Sequence, residues 1–213
     1  MKKCTTCPAN TDGSAQDRYQ FLLDRAHSQG ADGACLIPAD KLVVRDELAR
    51  LCGPDNPCPS YGLAPGCPPH ALEPAGFRQL LGRCDWVLVF KVNAPMEVLL
   101  GLGRRNIARQ VHQLSAALED AVRNTFLLNA HGYAAGSCKD LFCQDYTACI
   151  VLTHHLPCPH AHWVRPSLSA VGIDFQALAA EAGWPYALHG TPDPASGQLM
   201  GLMAGLVLIE KAE

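Results

Sequence analysis

The sequence predicts an α+β domain: a small mixed sheet, packed helices and two cysteine-rich loops. Three observations predict it. Residues 86–92 form a β-branched and aromatic run, as in a buried strand. Residues 104–129 carry apolar side chains at helical spacing. Seven of the eleven cysteines fall in two segments, about 52–69 and 136–166, rich in turn formers.

Residues 1–14 are polar, carry Cys4 and Cys7, and are expected as an arm ahead of a single domain over 15–213. A first helix is predicted over 17–27, with Tyr19, Leu22, Leu23 and Ala26 on one face and Gly30 past its end. Residues 35–44 read as extended and 45–51 as a short helix leading into Cys52. The stretch 56–74 is too rich in proline and glycine to be anything but a turn-rich loop. In the long helix, Ile107, Val111, Leu114, Leu118, Ala121, Thr125 and Leu128 share a face, leaving Arg109, Gln113, Glu119 and Asp120 to the other side. Gly132 and Gly136 are expected to close it and open the second cysteine group. Asp174 is placed to N-cap a helix over 175–182, with Gly183 as its stop. A strand over 199–209 completes the expected sheet.

With 48% apolar residues in 213, the chain can bury a substantial core. Seventeen Lys and Arg against 20 Asp and Glu leave a net charge of −3, which argues against a nucleic-acid partner. No apolar run reaches about 18 residues, so no membrane span is expected. The start, Met-Lys-Lys-Cys-Thr-Thr-Cys-Pro, lacks the apolar stretch of a signal peptide. An odd number of cysteines also cannot pair completely. A cytoplasmic protein with thiols kept as metal ligands is therefore expected.

The first group is Cys52, Cys58 and Cys67, and the second is Cys138, Cys143, Cys149 and Cys158. Glycine and proline let such loops turn several thiolates toward one point. Structural zinc favours close cysteine pairs, a spacing only Cys4 and Cys7 have here. Iron–sulfur clusters accept more varied spacing, and Cys7, Cys58, Cys67 and Cys158 each precede proline, as the last cysteine of a ferredoxin run does. The donor pattern thus favours an iron–sulfur cluster, of [4Fe–4S] type, one or two per chain, with zinc as the alternative. Cys138, Cys143, Cys149 and Cys158 would complete one four-thiolate set. The other three need a fourth ligand from Cys4, Cys7, a histidine or water. Cys35 and Cys84 are expected in the core as small apolar side chains.

His154, His155, His160 and His162 surround Cys158 and read first as a polar loop; His27, His112, His131 and His189 read as surface residues. Tyr61 and Lys139 lie beside cysteines, and Arg165 is expected either on a carboxylate such as Asp174 or near the second group. No nucleophile triad, Walker loop or dinucleotide fingerprint is present, so no catalytic residue is nominated.

Two stretches carry a resemblance. Cys52, then Cys58-Pro-Ser-Tyr-Gly62, then Cys67-Pro-Pro69 is one; Gly136-Ser-Cys138 through Cys158, followed by Arg165-Pro-Ser167 and Gly172-Ile-Asp174, is the other. Together they resemble the predicted metal-binding proteins of domain-of-unknown-function family 2284, over roughly residues 20 to 210. That family commonly opens its second group with Cys-x-x-Cys-x-x-Cys, whereas the gaps here are four and five residues. The resemblance implies cysteine metal sites of iron–sulfur kind and no particular reaction. The resulting expectation is electron transfer, or a redox accessory role beside a partner protein. The alternatives are a zinc-stabilised interaction module, or an enzyme using an open-coordination cluster as Lewis acid.

Overall fold

The computed structural model describes residues 13–56 and 58–212. Cys4 and Cys7 lie outside the described residues. The chain runs through α1 (Gly13–Ser28), β1 (Gly33–Pro38), α2 (Asp46–Arg50), α3 (Pro74–Leu81), β2 (Cys84–Pro95) and α4 (Met96–Leu100). It continues through α5 (Arg104–Phe126), β3 (Ala130–Tyr133), α6 (Cys138–Phe142), α7 (Ile150–His154), α8 (Phe175–Glu181), β4 (Thr191–Pro192) and β5 (Leu199–Glu210).

The α+β class holds, but where a mixed sheet is expected every ladder is antiparallel, in the order β1-β2-β5-β3. The two longest strands pair from Pro95↔Met200 to Cys84↔Glu210. The other edge of β5 takes β4 at its start and β3 at its end. The apolar run of β2 is unbroken because both sheet faces are covered. Leu88 and Phe90 face a layer containing Leu22 of α1 and Val111, Leu114 and Leu118 of α5. Val87 and Val89 face Phe77 of α3 and Leu178 of α8.

Several short elements escape a periodicity reading. Five-residue helices such as α4, α6 and α7 make barely more than one turn, too little for a face to recur. The second cysteine group is consequently not wholly loop. Gly132 lies inside β3 rather than closing a helix; a Cβ there would meet Ser115 Oγ at 2.7 Å and Arg165 Cδ at 3.1 Å.

One segment ties the sheet to both cysteine groups. Ala134 N–H donates to Pro166 O (2.9 Å), and Leu168 N–H donates to Ala134 O (2.9 Å). Ser167 N–H donates to Gly66 O (3.1 Å), which places Cys67 against the end of the second group. Gly66 needs its missing side chain, because a Cβ would lie 3.0 Å from Pro166 Cα, a backbone atom that cannot swing aside.

Candidate metal centre

The first group hangs on successive turns. Cys52 N–H closes onto Ala49 O (2.9 Å) just after α2, Tyr61 N–H onto Cys58 O (2.9 Å), and Cys67 N–H onto Ala64 O (3.1 Å). Burial pushes the Cys52 thiol up to about 11, aided by the neighbouring Cys58 and Cys67. The Cys67 thiol, 5% exposed, is also raised by burial, while the Ser137 hydroxyl beside it favours the thiolate. Ser137 Oγ reaches no partner at ordinary hydrogen-bond geometry, so this is a close approach and not a formed bond.

In the second group, Cys138 begins α6, Cys143 follows it as C-cap, and Cys149 occupies the N-cap of α7. Lys139 Nζ donates to Cys143 O (2.7 Å) and Tyr146 O (2.5 Å), fastening the α6–α7 connection. Burial drives the Cys138 thiol up to about 12, and Cys67, Cys158, Cys149 and Cys143 push the same way. Cys143 is raised by burial and then by Cys158 and Cys149, with Lys139 opposing.

The foremost thiol neighbour of Cys138 therefore belongs to the first group. Two groups separated by about 70 residues of sequence are brought together by the Ser167 N–H bond to Gly66 O, with Ser137 beside Cys67. All seven are thiols, not disulfides. Among the described residues, no three Cys, His, Asp or Glu side chains converge tightly enough to hold an ion as they stand. The two findings agree: charges act over many ångströms, whereas a metal–sulfur bond is about 2.3 Å. The donor set fits a thiophilic metal, since each thiolate raises the cost of the next and a bound cation removes that cost.

The sequence profile of the predicted metal-binding proteins (DUF2284) matches residues 35–209, a span containing all seven grouped cysteines. The chain belongs to this family. No curated protein and no solved structure matches it. The relationship supports a metal and leaves its identity to chemistry.

In this DUF2284 protein the second group is locked to α5 by polar contacts that the helical periodicity did not reveal. Glu119, expected on the solvent side, is 4% exposed. It pairs with Arg165 Nε and with Arg123 Nη2 (2.7 Å). His112, expected at the surface, is fully buried, and its Nδ1 accepts from Arg165 N–H (3.0 Å). That acceptor role puts the ring proton on Nε2, which faces the Ala135 and Gly136 carbonyls without reaching full hydrogen-bond geometry. Burial lowers His112 to about 4, with the Arg165 cation pushing the same way. Ser115 Oγ donates within reach of Tyr133 O (3.1 Å) and Leu206 O (3.3 Å). The signal was present: positions 112, 115 and 119 recur at helical spacing and mark a buried polar stripe.

Other residues fall out as follows. Arg165 takes Glu119 as its carboxylate, and Asp174 takes Arg45 (2.6 Å) while capping α8 through Ala177 N–H (3.0 Å). Cys35 (1% exposed) and Cys84 (5%) belong to the core. His160 stacks on Trp163, His162 tilts against the same ring, and His154 and His155 are exposed.

Proposed function

We propose that this chain holds iron–sulfur clusters at the meeting point of its two cysteine groups and works in electron transfer or as a redox accessory to a partner protein. The observation that carries the reading is the Ser167 N–H bond to Gly66 O, which brings Cys67 of the first group against the second, beside Ser137 and Cys138. Cys138, Cys143, Cys149 and Cys158 supply four thiolates, the complement of a [4Fe–4S] cluster. Cys52, Cys58 and Cys67 supply three, so a second cluster takes its fourth ligand from Cys4, Cys7, a histidine or water. When bound, a cluster supplies one-electron chemistry. The chain's own contribution is to hold the thiols half-buried, to place the Ser137 hydroxyl beside Cys67, and to set Lys139 against the charge of the second group. The three-thiol count of the first group favours a second reading, in which the open position binds a substrate.

Iron and acid-labile sulfide in anaerobically purified protein test the proposal. We expect brown protein with about four to eight irons per chain. A colourless protein with stoichiometric zinc overturns it and leaves a zinc-stabilised interaction module.

A further inference from the structure

Between the first cysteine loop and the start of α5 lies a cavity of about 670 Å³, within the size range of small-molecule sites. Cys58 stands on its wall. Its charged lining is Arg104, Arg105, Lys139 and Asp140, an excess of two positive charges. Asp140 is committed to Arg105 (2.8 Å), and two carbonyls hold Lys139 in place, its charge acting on Cys143 as well as on the cavity. Arg104 makes no side-chain ion pair or hydrogen bond among the described residues. Leu63, Leu141 and Met203 make part of the wall apolar.

Two features lack an internal reason. Arginines occupy the first two positions of α5, a 23-residue helix with no acidic residue in its first turn. Cations there oppose the helix dipole, which is unfavourable unless a partner offsets it. Arg105 recovers that cost through Asp140; Arg104 does not. The second feature is Ser137, a residue of the cavity lining only 7% exposed, whose hydroxyl lies beside Cys67 and reaches no formed hydrogen bond. Buried hydroxyls ordinarily find partners, and this one has no formed bond for its O–H, the donor from which an anion accepts.

We propose that this cavity binds a small organic carboxylate, its charge on Arg104 and Lys139 and its apolar body against Leu63, Leu141 and Met203, next to Cys58. The proposal deepens the metal reading by giving the three-thiol group a neighbouring ligand, and it rests on that reading only for the role of Cys58. A carboxylate suits the guanidinium fork, and the apolar wall selects an organic body over a bare inorganic anion.

Isothermal titration of the anaerobically purified full-length chain with acetate, benzoate and 1-naphthoate tests it, at fixed low salt so that surface charges are not screened away. Benzamide serves as the neutral counterpart and inorganic phosphate as the bare anion. Benzoate or 1-naphthoate is expected to bind once per chain, with benzamide at least tenfold weaker. Arg104→Gln, at an exposed position, is expected to weaken the carboxylate at least tenfold without lowering the melting temperature. The proposal is overturned if no carboxylate saturates below about 10 mM. It is equally overturned if Arg104→Gln binds like the wild type, or if phosphate binds as tightly as the best carboxylate. Iron and sulfide measured on the same sample separate the two ideas. Colourless protein that binds the carboxylate supports the cavity while sinking the clusters, and brown protein that binds none sinks the cavity alone.

Discussion

Along β2 and β5, Val87, Leu88, Val89, Phe90, Leu206, Val207 and Leu208 are all fully buried, pressed from both sides by helices. Between Cys138 and Cys158 the one fully buried side chain is Leu141, and between 52 and 69 the described residues contribute only Ala64 and Cys67. The sheet is held by removing apolar surface from water. The cysteine end has too little such surface, and stands on backbone bonds to Pro166 and Ser167 and a buried ionic clamp at Arg165. The two regions should therefore fail separately, with a bound metal expected to supply what the loops lack.

Chelation should therefore produce the largest effect. Metal binding to loops without a core is folding energy, on the order of 10 kcal/mol for small thiolate sites. Hydrogen exchange after anaerobic chelation should show protection lost over 52–69 and 136–166 and kept in β2 and β5. Uniform loss would mean that the regions are one cooperative unit.

Next comes the clamp. Glu119→Ala leaves Arg165, whose side chain is 11% exposed, charged without a carboxylate, and is expected to cost about 3–5 kcal/mol in denaturant unfolding. A cost below about 1 kcal/mol would remove the clamp from the account.

His112→Phe keeps an apolar ring but orphans Arg165 N–H, for an expected loss of about 1–3 kcal/mol. This variant also carries a pH signature. Folded His112 stays neutral down to about 4, whereas the unfolded chain takes up the proton near 6.5. The stability it contributes is complete above about 6.5 and is lost as pH falls toward 4. The wild type should thus weaken over that window, and the phenylalanine variant should weaken less.

The two kinds of cysteine give the smallest stability change and the sharpest contrast. Cys35→Ala empties a core position at about 1 kcal/mol and should leave metal content unchanged. Cys67→Ser should leave the sheet intact by circular dichroism while lowering the bound metal. Equal metal loss in both variants would erase the distinction.

Long periodic elements were legible in the sequence because a buried face must recur. The α5 stripe, the β2 run and the Asp174 cap of α8 all lie within a few residues of where spacing puts them. Helical spacing puts 112, 115 and 119 on one stripe, but Glu119 and His112 find their partner in Arg165, some 50 residues later, so the stripe alone does not say that these polar groups are buried and paired. The cysteine groups themselves were legible from turn chemistry. Their juxtaposition was not, since it depends on Gly66 packing against Pro166 across about 100 residues of chain. The antiparallel sheet escaped for the same reason: β4 and β3, two and four residues long, join β5 at opposite ends and carry no readable alternation.

We propose redox-active iron–sulfur clusters on the seven grouped thiols. Electron paramagnetic resonance on anaerobically prepared protein, recorded before and after dithionite reduction, tests this most directly. A signal is expected that appears on reduction, disappears on reoxidation and is lost in Cys138→Ser. A silent spectrum in both states from a sample fully loaded with zinc would contradict it.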